Sequence, residues 1–290
     1  MTIDSEQIPE QVTAPLCTHG EGPVWDARSS RVLFVDMLAG DVIGYDPADG
    51  RTSRTHVGTH AAVLRPRRDG GWIIAREHDV VLTDAVFRIE RRVEAFPVPS
   101  SLGSMNDGGC DPFGKFYCGT VTDPGHGALF RVSPDLDVTI ALEGVTISNG
   151  LGASPDGRRI YYVDTPTGRI DVLAPGPDGL TDRTPWVRLE DGDGGALDGL
   201  AVDAEGGVWV AMWGAGEVRR YVDDDGVGIL VETVRFPALH VTACAFGGTD
   251  LRDLYVTSSR TGSTDPEPLA GSLFRIRTDV PGVPVLPFAG

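Results

Sequence analysis

The chain is poor in basic residues. Lys and Arg together number 25 against 42 Asp and Glu, and Lys115 is its only lysine. The formal net charge is −17. A surface of that sign repels a phosphate backbone, so nucleic acid is not an expected partner. The acids are scattered, with Asp223, Asp224 and Asp225 the longest run, which describes a solvated surface and not an acidic tail. Cysteine is also scarce. Cys17, Cys110, Cys118 and Cys244 form no C-x-x-C pair and no dense spacing. That excludes a disulfide framework and a cysteine zinc site, and suits reduced thiols in a cytoplasmic protein. No apolar run approaches the roughly 20 residues that span a bilayer. The segment MTIDSEQIPEQVTAPL lacks the basic and apolar regions of a signal peptide. No membrane partner is expected. The serine motif G-x-S-x-G is missing, which argues against a serine esterase. Gly194-Gly195 and Gly214-x-Gly216 precede no helix, so they make no phosphate cradle. No segment keeps a helical period with caps at both ends.

What is present is a repeat. A turn rich in Asp and Gly, a β-branched and aromatic run, and a second strand recur six times, beginning near Asp26, Asp69, Asp111, Asp156, Asp203 and Asp250. The spacing of about 42–47 residues is that of propeller blades. One repeat cannot bury both faces of its small sheet; six stacked radially can, around a central channel. The expected fold is therefore all-β, a six-bladed β-propeller with a central metal site. A tail over residues 1–15 would precede a single propeller domain over 16–290. The last blade is expected to close by pairing of N- and C-terminal segments, because closure removes exposed edges.

Four polar residues stand just upstream of a blade turn and are followed directly or nearly so by Gly. They are Glu21 in Gly20-Glu21-Gly22, Asn106 in Asn106-Asp107-Gly108, Asn149 in Asn149-Gly150 and Asp198 in Asp198-Gly199. The offset to the next turn is about five to seven residues in each, so the four fall at equivalent points of four blades, in one ring about the axis. Asn-Gly and Asp-Gly are ordinary turn residues, but turn chemistry does not require different blades to agree. Two carboxylates and two amides are hard oxygen donors. They suit Ca²⁺, Mg²⁺ or Mn²⁺, and Zn²⁺ when water completes its shell. His19 and His126 lie near channel-facing segments and are candidates to touch a substrate or shuttle a proton. Trp25, Trp72, Trp209 and Trp213 fit strand packing better than a stacking platform.

At these residues the sequence resembles the senescence marker protein, gluconolactonase and luciferin-regenerating enzyme family. The resemblance rests on Gly20-Glu21-Gly22-Pro23-Val24-Trp25, Asn106-Asp107-Gly108, Ser148-Asn149-Gly150, Asp164-Thr165, Asp198-Gly199-Leu200 and Val208-Trp209-Val210-Ala211, and runs over nearly the whole chain. It implies a six-bladed propeller with one divalent metal ion on its axis. By resemblance, Glu21, Asn149 and Asp198 are the metal ligands and Asn106 an active-site residue that binds metal or substrate. It implies a hydrolase that opens a lactone ring. Asp198 would accept a proton from the attacking water, or a second water would, and Asn106 would donate to the oxyanion. Family members often carry Arg where this chain has Ser104. A hydroxyl lacks the forked donors of a guanidinium, so the expected preference of this gluconolactonase-like site is for a lactone or ester less hydroxylated or bulkier than gluconolactone. Two readings stay open: another reaction at the same metal (non-sugar ester hydrolysis, cyclisation or isomerisation), and a non-catalytic calcium-binding propeller. The partner is a small molecule, and the chain a monomer or small homo-oligomer.

Overall fold

A computed structural model describes residues 3–4, 8–93, 103–190 and 192–290. Six antiparallel sheets follow one another along the chain, each beginning with its innermost strand. Blade 1 comprises Gly20–Asp26, Arg31–Asp36, Asp41–Tyr45 and Thr52–His56. Blade 2 runs from Ala61–Pro66 to Ile89–Arg92, blade 3 from Ser104–Cys110 to Val138–Val145, and blade 4 from Ser148–Ala153 to Gly179–Arg188. Blade 5 runs from Ala196–Val202 to Val227–Arg235 and gains Ile3–Asp4 as a parallel outer strand.

Blade 6 takes three strands from the end of the chain, Val241–Gly247, Asp253–Ser258 and Phe274–Arg277, and a fourth from its start. Glu10 pairs with Arg275 and Gln11 with Phe274. The expected closure is thus present. The expected boundary at residue 16 is corrected: Glu10–Gln11 is the outer strand of blade 6, where it pairs with the edge of Phe274–Arg277 and so covers it.

The repeated aspartates are explained by turn chemistry. Asp111 Oδ1 accepts from the amides of Phe113 and Lys115, both at 2.9 Å, and Tyr117 Oη donates to Asp111 Oδ2 at 3.1 Å. Asp203 repeats the arrangement with Glu205, Gly207 and the indole of Trp209. In these two turns the carboxylate bonds amides two and four residues on and anchors an aromatic of the next strand; Asp26, Asp156 and Asp250 bond the amide two residues on. Between blades the sheets bury large side chains completely, Tyr117, Tyr161, Phe130 and Phe274 among them. All four cysteines are free and buried.

Two features of the innermost strands position the axial residues. The pairing register slips in every one of them: between Glu21 and Val24, Ala61 and Val63, Met105 and Gly108, Ser148 and Leu151, Leu197 and Leu200, and Val241 and Cys244. Such a slip bends the strand and re-aims its side chains. The glycine after the polar residue then reflects crowding. A Cβ on Gly150 would meet Leu200 N at 2.7 Å and Asp198 O at 2.8 Å; one on Gly199 would meet Ala243 Cβ at 2.4 Å. Neighbouring blades approach so closely at the axis that only glycine fits.

Candidate functional site

Glu21, Asn106, Asn149 and Asp198 all lie at or within a register slip, and the structure brings them to one end of the axis. Glu21, Asn149 and Asp198 are buried. Two loops are held by the same device. Asp36 Oδ1 accepts from the amides of Thr18 and His19, and fifteen residues separate it from Glu21. Asp164 Oδ1 accepts from Thr146 and Ile147, at the same remove from Asn149. Each aspartate ends the second strand of its blade and fixes the chain entering the first.

The side chains are tied individually. Glu21 Oε2 accepts from the Gly22 amide at 3.0 Å. Asn149 Nδ2 donates to Thr165 Oγ1 at 2.9 Å, and Thr165 Oγ1 donates in turn to Leu197 O at 2.8 Å. That chain uses the amide nitrogen of Asn149 and turns its oxygen toward Asn106, with a lone pair that could face a cation. Asn106 Nδ2 donates to Ser148 O at 2.9 Å and reaches Asn149 Oδ1 at 3.4 Å, so Asn106 links blade 3 to blade 4. The Asp198 carboxylate bonds the Gly199 amide and the Asn149 side chain, while among the described residues its buried Oδ1 has no hydrogen-bond partner.

Burial pushes the Glu21 carboxyl well above its ordinary range, and the neighbouring charges of Asp198 and Asp107 push it further. Asp198 is raised for the same reasons, burial first and Asp107 second. Two buried carboxylates that repel one another, one with an unpaired oxygen, are costly unless a cation joins them. Among the described residues no three His, Cys, Asp or Glu side chains form a metal cluster by themselves. The set that fits a hard divalent ion consists of two carboxylates and the oriented amide oxygen of Asn149.

The other expected residues divide. His19 belongs to the site: its Nε2 stands 3.9 Å from Glu21 Oε1, and its Nδ1 is 2.7 Å from Ser259 Oγ and 3.2 Å from Thr261 Oγ1. Burial pulls its pKa down to about 4, so the ring is neutral near pH 7. Ser104 is half-buried and begins the innermost strand of blade 3, two residues before Asn106. His126 is exposed on the turn between the second and third strands of that blade, where its amide donates to Asp123 O. Its ring makes no contact with the axial residues.

Several site residues escaped the sequence. Trp213 does not serve only as packing. Its ring meets His19 edge-on at 5.8 Å and His240 at 4.3 Å, forming an aromatic wall beside Glu21. His240 is buried, with Nδ1 unpartnered. His60 places Nε2 3.0 Å from Met105 O. Thr165 was visible only as part of Asp164-Thr165, with no sign of its link to Asn149.

A six-bladed propeller whose axis presents a buried hard-donor set at one end defines the class. Within it, the family described as the SMP-30/Gluconolactonase/LRE-like region matches residues 19–260, and the chain belongs to that family. It is 34% identical to a 6-deoxy-6-sulfogluconolactonase of Pseudomonas putida over 93% of this chain and 95% of that protein. It is 32% identical to regucalcin of Danio rerio, again over 93% and 95%. The crystal structure of a calcium-binding protein, regucalcin, from Agrobacterium tumefaciens superposes with a TM-score of 0.88 at 26% identity, covering 99% of both chains.

Proposed function

We propose that the protein is a divalent-metal-dependent hydrolase that opens a lactone ring, with Glu21, Asn149 and Asp198 as metal ligands. The observation that carries this reading is the unpartnered oxygen of Asp198 beside Glu21 and the Thr165-oriented Asn149. The names of the relatives support the reaction class. A bound Ca²⁺, Zn²⁺, Mg²⁺ or Mn²⁺ would supply Lewis-acid polarisation of the carbonyl and a water of lowered pKa. The chain's own residues do the rest. Asp198 accepts the proton of the attacking water at its carboxylate. Asn106, whose Nδ2 bonds Ser148 O and reaches Asn149 Oδ1, positions Asn149; the oxyanion donor expected of it is not free in this arrangement. His19, neutral and held through Nδ1 by Ser259 and Thr261, presents Nε2 to the substrate. Trp213 and His240, their rings tilted 42° to one another, stand beside His19 and add an indole face and an imidazole nitrogen to that side of the site.

Ser104 lacks the forked donors that read a sugar's hydroxyls, so the site should not reject a less hydroxylated or bulkier lactone or ester as a hydroxyl-reading site would. The four buried thiols accord with a reducing compartment, and no helix among the described residues is long and apolar enough to cross a membrane. The test is kcat/KM on glucono-, xylono- and alkyl lactones, with metal added and with chelator, for the wild type and Ser104→Arg. Turnover lost with chelator and restored by metal is expected. The Arg variant should gain on polyhydroxylated lactones and lose on alkyl ones. Undiminished turnover in a chelator-stripped protein would overturn the metal role.

A further inference from the structure

One charged pair beside the axis has no part in the reaction above. Asp107 follows Asn106 and is buried, 4% exposed. Its Oδ1 accepts from the Gly108 amide at 2.6 Å. Arg65 comes from the innermost strand of blade 2, which offers no polar residue at its own register slip. Its Nη1 donates to Leu64 O at 2.8 Å and its Nη2 to Gly108 O at 2.6 Å, while Nη2 stands 3.9 Å from Asp107 Oδ1. Two backbone carbonyls therefore fix the guanidinium; it does not depend on Asp107 for its position and cannot swing into water. A guanidinium stays charged at any working pH.

Glu21, Asp107 and Asp198 share this end of the axis, and the charge of Arg65 opposes that of the acids at both Glu21 and Asp107. Burial holds the carboxyls of all three above their ordinary range, and Arg65 draws Glu21 and Asp107 back; with all three ionised and the one guanidinium counted, the set carries a formal −2, which one divalent cation neutralises. Without Arg65 the same set would match a trivalent ion.

We infer that Arg65, paired with Asp107, is a charge-selectivity device: it tunes the axial site to divalent over trivalent cations. The inference rests on the proposed metal reading of Glu21, Asn149 and Asp198, and concerns residues that are not ligands in it. The charges act at short range in a buried site, where each unit alters ion preference strongly.

The test is calorimetric titration of chelator-stripped protein with Ca²⁺ and with La³⁺, two oxygen-seeking ions of similar size and different charge. Arg65→Met should shift the affinity ratio toward La³⁺ on the order of tenfold, and Asp107→Asn should shift it toward Ca²⁺ by a similar factor. The double variant should return to within about threefold of the wild-type ratio, and Arg65→Lys should keep it. If Arg65→Met does not fold, Asp107→Asn and the double variant carry the comparison. Folded variants whose ratio matches the wild type would overturn the inference, as would equal losses for both ions, the mark of a merely structural role. A wild type that binds neither ion would sink the metal reading and this inference together; a wild type that binds Ca²⁺ with unmoved variants would sink only the charge role.

Discussion

At one end of the axis the innermost strands present Glu21, Asn106, Asn149 and Asp198; at the other the same strands run out as Trp25, Cys110, Ala153, Val202 and Phe246 around a cavity of about 110 Å³. Arg65 lines that cavity too. The segment Val283–Leu286 covers this second end, and flanking residues stitch it to four blades: Pro281 O accepts from Ala204, Gly282 donates to Leu251, Phe288 to Pro66 and Ala289 to Gly114. Phe288 is fully buried. The polar end gathers buried carboxylates from different blades, one of them with an unpaired oxygen, and the closed end gathers apolar contacts. Damage at the first should therefore cost function, and damage at the second should cost stability.

The sharpest separation is expected from Asp198→Asn. Activity should fall by about a thousandfold or more, because both a ligand charge and the proton acceptor are lost. The metal-free fold should nevertheless melt at or above the wild-type temperature, since a buried unpaired charge has been removed. The same logic has a pH signature. The folded pKa values of Glu21 and Asp198 lie above the ordinary carboxylate value of about 4. The metal-free fold thus loses stability as pH rises from about 4 toward those raised values. Metal must displace the same protons, so the melting-temperature gain on adding Ca²⁺ should grow with pH. Calorimetry at several pH values, with and without metal, checks both; a gain that shrinks with pH would contradict the assignment.

Phe288→Ala is the matching lesion at the closed end. It should destabilise the whole ring by about 3–5 kcal/mol, as truncation of a buried aromatic does, with metal affinity kept per folded molecule. Denaturant unfolding would show it, and an unchanged midpoint would mean that this segment seals nothing.

Thr165→Val probes the polar end without removing a ligand. Loss of its bond to Asn149 should weaken metal binding about 10–100-fold, the usual effect of deleting a ligand's supporting contact. The fold should survive. Titration calorimetry reads the difference, and wild-type affinity would place Thr165 outside the site. His126→Ala should have the smallest effect, within about twofold on kcat/KM, because its exposed ring touches none of the axial residues. A larger loss would restore it to the substrate path.

Much of this contrast was legible in the chain. The Asp-Gly turns, the blade spacing and the polar residue before each glycine are local patterns, and the register slips turned that pattern into a ring. Glycine was readable as a marker, although its cause was not: Gly150 and Gly199 are required by backbone from the next blade. Contacts between distant segments were not legible. Asp107 was quoted beside Asn106, but Arg65 lies 42 residues earlier in another blade. Trp213 read as packing because its neighbours His19 and His240 arrive from blade junctions on either side of it in sequence. His126 earned attention from its position in the chain, and the structure turns it to solvent.

The sequence by itself determined the number of blades, their Asp-Gly turns and the equivalent placement of Glu21, Asn106, Asn149 and Asp198 in four of them, because each depends on a short local pattern that recurs from blade to blade. Only the tertiary structure decided which end is sealed, which side chains remain unpaired and how charge is distributed there. Those properties belong to no single blade. They arise where six strands meet within contact distance, so that an oxygen left without a partner on Asp198 and a guanidinium pinned by Leu64 and Gly108 become parts of one site.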